Sequence, residues 1–169
     1  MNAEELRTLQ APLKQKYQET PEVAVITLKA EGRIGEGITC KIETGKGLVE
    51  AGLHPATGGD GLSACSGDML LEALAACAGV TLQAVATAIG VELQGGTVLV
   101  EGDLDFRGTL AVSKEAAVGF KDIRLRFELE TNASEEQVAS LIRLTERYCV
   151  VYQTLRHAPP VTISTDVVA

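Results

Sequence analysis

The chain has 169 residues, four of them cysteines, with 22% charged residues and a formal charge of −8. That length suits one domain that buries about two thirds of its unfolded surface without covalent staples, so a disulfide framework is not required. The acidic balance, with 15 Lys and Arg scattered along the chain, argues against nucleic acid and anionic lipid as partners, and the polar start MNAEELRTLQ lacks the apolar stretch of a signal peptide; the cytoplasm, where thiols stay reduced, is the expected compartment.

In chain order, Ala3 to Gln18 is rich in helix formers and predicts a polar helix with Pro12 as a point for a bend. Residues 1–20 are expected to form an N-terminal helical extension to a domain spanning 21–169. VAVITLK, from Val23, is short and β-branched and predicts a strand. GRIGEGITCKIE then predicts a Gly-rich turn leading into the second strand of a hairpin. Between Thr44 and Ser66, Gly, Pro and Ser cluster with almost no periodicity, which predicts a long surface loop.

Ser66 is expected to cap a helix running from about Gly67 to Ile89, with Gly90 as its C-cap. Met69, Leu70, Leu74, Val80, Leu82, Val85 and Ile89 cover most of its circumference, so this helix calls for enclosure on nearly all sides. A membrane span is the competing reading of Ala73 to Val91, but Ala, Gly and Thr with Gln83 in the middle give little transfer energy. One small domain supplies too little cover for such a helix. A second copy of the chain is the expected partner, with Gly79 and the surrounding alanines letting two backbones approach closely.

VLVEGDLDFRG alternates Val98, Val100, Leu104 and Phe106 with polar neighbours, and DIRLRFELE alternates Ile123, Leu125, Phe127 and Leu129 with charges. Both predict half-buried antiparallel strands. SEEQVASLIRLTERY places Val138, Leu141, Ile142 and Thr145 at helical spacing behind a capping box from Ser134 to Gln137, and Cys149 continues that face. VVYQTLRHAPP predicts a short helical turn stopped by two prolines, and VTISTDVV a closing strand. The order of strands, helix, strands, helix and strand, without an internal repeat, predicts the α+β class.

The chain has no P-loop, no GxGxxG after a strand and no GxSxG elbow. His54, Cys65, Cys77, Cys149 and His157 lack the paired spacing of a zinc site, and the two histidines predict loop and turn positions. Cys77 and Cys149 remain, each on an amphipathic element and each, taken alone, a packing residue first. Together they belong to a longer pattern. LLEALAAC followed by VTL, then Gly119 and Phe120 ahead of an amphipathic strand, then ERYCVVYQTL, resembles the OsmC/Ohr family, named for osmotically inducible protein C and organic hydroperoxide resistance. The resemblance spans Val23 to Val167.

The resemblance implies an OsmC-like fold, in which antiparallel sheets pack with a long buried central helix in an intertwined homodimer. It implies a cytoplasmic thiol peroxidase acting on organic hydroperoxides in oxidative stress defence. By the family motif Cys77 would be the peroxidatic thiol and Cys149 the resolving one, while Arg33, in GRIGEG, would be the cation that favours the thiolate. No bound cofactor or metal is implied; an external dithiol, in the family often a lipoyl group, would reset the disulfide. The partners expected are therefore a second copy, a hydroperoxide and a dithiol, with no nucleic acid and no membrane. The chain departs from the family pattern at three places: Ser66 and Gly67 stand where catalytic members carry Pro-Glu, with Asp68 one step on; Val150 follows Cys149 in place of Pro; and Cys65 is an extra thiol. The alternative is a non-catalytic OsmC-like protein that binds a small apolar or thiol-reactive ligand at the dimer interface.

Overall fold

The computed structural model describes residues 2–20, 31–34, 39–44 and 47–167. Helix α1, Ala3–Glu19, runs through Pro12. It begins at a reciprocal cap in which Asn2 Oδ1 accepts from the Glu5 amide and Glu5 Oε2 from the Asn2 amide, each at 2.9 Å. The strand expected from Val23 lies outside the described residues.

Strands β1 (Glu31–Ile34), β2 (Thr39–Thr44) and β3 (Gly47–Gly52) form an antiparallel meander, in which Arg33 lies opposite Lys41 and Ile42 opposite Val49. Strand β4, Ala64–Cys65, adds in parallel to the end of β3. Two expectations are corrected here. Gly32 to Ile34 pairs as a strand instead of turning, and the loop expected from Thr44 to Ser66 contains β3, a 3₁₀ turn at Pro55–Thr57 and β4. In both cases pairing with β2 or β3 overrides a composition that locally favours turns.

Helix α2, Ser66–Ile89, starts one residue earlier than expected. Its N-cap is Cys65, which makes no side-chain capping bond; pairing of Cys65 with Gly52 holds its backbone extended, so Ser66 is already helical. At the other end Gly90, at φ 74°, takes the left-handed conformation and its amide donates to the Ala86 carbonyl, as expected of a glycine C-cap.

Strands β5 (Gly95–Leu104) and β6 (Phe120–Glu130) pair antiparallel, with Val98 opposite Phe127 and Val100 opposite Leu125. The first ends two residues before the expected Phe106, because the Asp105 carboxylate accepts from the Arg107 amide and starts a helical turn, α3, at Phe106–Thr109. Helix α4, Glu135–Tyr148, opens on the capping box of Ser134 and Gln137. Cys149 then ends α4 and precedes α5, Val150–Arg156. The closing strand expected in VTISTDVV is not seen: residues 157–167 pair with no strand among the described residues, and Val161, Ile163 and Val167 are 86%, 92% and 92% exposed. A strand is a pairing, and this segment makes none with the described residues.

The core lies along one side of α2. Leu82, Val85 and Ala86 pack with Val91 and Leu141, and Leu74 and Ala78 pack with Cys149. The opposite side is uncovered in the single chain: Ala73, Ala76 and Ala84 are exposed, and Val80 is 73% exposed. By length and composition α2 could cross a bilayer, yet its covered side is seated on β5, α4 and α5. Gly79 does not belong to the uncovered side, because a Cβ there would stand 3.6 Å from Val98 of β5. That Cβ would face β5, which corrects the expectation that Gly79 lets two central helices approach.

Candidate functional site

Cys77 and Cys149 meet in the packed region between α2, α4 and α5. Helical spacing places Cys77 beside Leu74 and Ala78 at the margin of the covered side of α2, and the apolar face of α4 carries Cys149 to the same place at its end. Cys149 is 1% exposed and Cys77 half-buried; both are free thiols, and Cys77 packs against the cluster that contains Cys149.

The chain changes direction at Cys149, and this reversal supplies the electrostatics. Because α5 restarts there, the amides of Val150, Val151 and Tyr152 occupy its first turn, where helical amides have no carbonyl partner within the helix. Burial pushes the Cys77 thiol up, but the neighbouring Val151 amide, Cys149 thiol, Val150 amide and Thr81 hydroxyl favour its ionised form and together bring it below the ordinary 9.0. The Cys149 thiol is held above that value by burial and by the neighbouring Cys77 sulfur, although the Tyr152 and Val151 amides pull the other way. These directions favour ionisation at Cys77 over Cys149.

The remaining residues singled out in the sequence fall elsewhere. Arg33 lies in β1, and its side chain is outside the described residues. Asp68 and Cys65 line a separate cleft of about 330 Å³ at the start of α2, where the His54 ring stacks on Phe106 at 5.0 Å. His157 ends α5 and is exposed. Among the described residues no group of three or more His, Cys, Asp or Glu is placed to hold a metal ion. Val150, Val151 and Thr81 were missed by sequence reasoning. Thr81 carried a usable signal, since it stands one helical turn after Cys77, but the two amides are invisible until the restart of the helix at Cys149 is known.

A larger cavity of about 500 Å³ opens between the inner face of β6 and the helices α4 and α5, lined by Leu74, Leu125, Phe127, Ile142 and Tyr152 among others, with Lys121 and Arg156 also in its wall. It shares Leu74 and Tyr152 with the surroundings of the thiol pair, but neither sulfur lines it.

No curated protein matches the sequence. Solved structures of similar fold include an OsmC-like protein from Mycoplasma pneumoniae, with TM-score 0.66 and 17% identity over 79% of this chain and 89% of that one. An organic hydroperoxide resistance protein OsmC from Legionella pneumophila matches with TM-score 0.61 and 17% identity over 79% of this chain and 91% of that one. An organic hydroperoxide resistance protein from Elizabethkingia anophelis, with thiocyanate bound, matches with TM-score 0.63 and 16% identity over the same shares of each chain. At these identities the neighbours speak for the fold. The family model described as OsmC-like protein matches residues 58–164, a span that begins ahead of α2 and runs through both cysteines and α5, and the chain belongs to the OsmC-like family.

Proposed function

We propose that this chain is a thiol-dependent peroxidase that reduces organic hydroperoxides to alcohols through Cys77 and Cys149. The observation that carries the reading is the packing of Cys77 against the buried cluster that holds Cys149, where the Cys77 thiol is lowered and the Cys149 thiol raised. A peroxidatic sulfur must be a thiolate at working pH, and a resolving sulfur is better kept protonated until it is needed. The Cys77 thiolate attacks the terminal peroxide oxygen, the O–O bond breaks, and the alkoxide takes a proton to leave as alcohol while Cys77 becomes a sulfenic acid. Cys149 then attacks the Cys77 sulfur; its proton leaves with the sulfenic hydroxyl as water, and a disulfide forms. An external dithiol, of which a lipoyl group is one kind, reduces that disulfide and is itself oxidised. Arg33 is the proposed cation toward the peroxide, and the reduced cytoplasm the proposed setting.

The working unit in this reading is a homodimer. Ala73 and Val80, one turn to either side of Cys77 on α2, are both exposed in the single chain, so the thiol borders the uncovered side of the helix. A second copy seated there would roof Cys77, exclude water and offer an apolar wall to the hydrocarbon body of a peroxide, where burial contributes about 25 cal/mol per Å².

The test is mass spectrometry after a stoichiometric dose of cumene hydroperoxide. Wild type should yield a disulfide between Cys77 and Cys149, Cys149→Ser should gain oxygen on Cys77, and Cys77→Ser should be inert while still folded. Thiols that stay reduced in a folded protein would overturn the reading. In that case the cavity beside the pair, apolar on its β6 side and rimmed by Lys121, Asp122, Glu146 and Arg156, favours the second one, a non-catalytic protein that binds a small, mainly apolar ligand whose affinity survives Cys77→Ser.

A further inference from the structure

Two-residue alternation puts Lys121 on the same face of β6 as Ile123, Leu125 and Phe127, so a lysine stands at the end of the strand's apolar face. It stands at a bulge: Asp103 of β5 pairs with Asp122 and Leu104 with Phe120, which leaves Lys121 as the extra residue without an opposite number. The carboxylates around it do not account for it. Asp103 and Asp105 feel its charge, but Arg124 holds Asp103 at 2.9 Å and Arg107 holds Asp105 at 2.6 Å, while Arg124 also bonds Asp122 at 2.8 Å. Each of the three acids therefore has a guanidinium of its own.

Lys121 lines the cavity of about 500 Å³ between β6, α4 and α5, and the wall of that cavity sorts by polarity. Leu74 is buried and Leu125, Phe127 and Tyr152 are half-buried, whereas the four charged residues of the wall, Lys121, Asp122, Glu146 and Arg156, are exposed. With Asp122 taken by Arg124, the cations of Lys121 and Arg156 stand against the single carboxylate of Glu146, and none of these three makes an ion pair among the described residues. One positive charge is left in excess at the rim of an apolar space. A lysine turned inward also guards a strand edge, but that account does not reach Arg156, which comes from α5.

We propose that this cavity is a binding site for an amphipathic monoanion, a straight-chain carboxylate, with its head at Lys121 and Arg156 and its chain along Leu125 and Phe127. The six steps of strand from Lys121 to Phe127 span about 20 Å, enough for a chain of about ten carbons. Neither sulfur lines the cavity, so the proposal stands apart from the thiol chemistry; it adds to the reading of the cavity as a mainly apolar site the charge that its ligand carries. A cationic head would be repelled by the same rim, and a neutral one would gain nothing from it.

The experiment is isothermal titration calorimetry of the reduced full-length protein at neutral pH with decanoate, decanol, decyltrimethylammonium and butyrate. Decanoate should bind about tenfold more tightly than decanol, because hydrogen bonds to an ionised partner add to the same chain burial. Decyltrimethylammonium should bind more weakly than decanol, and butyrate, with the head but little chain, roughly a hundredfold more weakly than decanoate. Lys121→Gln and Arg156→Gln, both at exposed positions, should each bring decanoate toward decanol, Lys121→Arg should keep the preference, and Lys114→Gln, on the loop before β6, should change nothing. Decanol binding as tightly as decanoate overturns the proposal, as does an equal loss in Lys114→Gln, which would assign the attraction to the surface at large. Absence of decanoate binding by the folded protein also overturns it and leaves the cavity to a second copy of the chain. Thiols that stay reduced under hydroperoxide would remove the peroxidase reading and leave these titrations unchanged.

Discussion

At Val150 a single residue type decides how the thiol is served. A proline there would have no amide hydrogen to donate, whereas valine contributes one of the donors that lower the Cys77 thiol. Proline fits the geometry, since it is favoured at the first helical position and Cys149 already has the extended backbone that precedes a proline. Val150→Pro should therefore leave the fold intact and raise the Cys77 midpoint, slowing neutral alkylation about tenfold; iodoacetamide kinetics at Cys77 check it. Arg33→Ala should slow the same reaction if the proposed cation faces the thiolate, and an unchanged rate would leave the activation to the α5 amides, the Cys149 thiol and Thr81. The two displacements also imply a pH signature in stability. A lowered Cys77 adds stability as pH rises through its folded value toward 9.0, and a raised Cys149 takes stability away as pH climbs above 9.0. Thermal melts of Cys77→Ser against wild type should lose the first limb, and those of Cys149→Ser the second.

Among the elements, α2 answers to two different neighbours. Its covered side meets β5 closely enough that Gly79 stands over Val98, and a Cβ at 3.6 Å there would make ordinary van der Waals contact. Gly79→Ala should therefore be tolerated and stabilise the helix by about 0.5–1 kcal/mol, measured by denaturant unfolding, with the oligomeric state unchanged. Had Gly79 served contact between two central helices, the same change would weaken association. On α4 the reciprocal cap of Ser134 and Gln137 fixes where the helix begins, and with it the register that brings Cys149 to Cys77. Ser134→Ala should cost about 1 kcal/mol in the same experiment.

For the whole molecule, the uncovered side of α2 and the exposed apolar tail of Val161, Ile163 and Val167 are the surfaces a second copy would cover. Val80→Asp places a charge in the middle of the helix's uncovered side while touching nothing in the single-chain core. It should yield a folded monomer by light scattering and circular dichroism. A Val80→Asp protein that stays dimeric would place the interface elsewhere.

Much of this molecule was legible in the one-dimensional pattern because the signals are local. The Gly90 cap, the Ser134 and Gln137 box and the alternation in β5 and β6 each depend on residues a few positions apart, and the two cysteine segments carry the family resemblance directly. What the pattern left undetermined depends on residues distant in sequence. The strand at Gly47–Gly52 exists because β2 pairs with it, and Gly79 faces Val98 because α2 lies on β5. The donors at Cys77 come from amides more than seventy positions away, aimed by the change of direction at Cys149. Periodicity determined which faces of the chain are apolar, but only tertiary packing decided which of those faces meet, since an amide or a glycine carries no side chain for a sequence pattern to reveal.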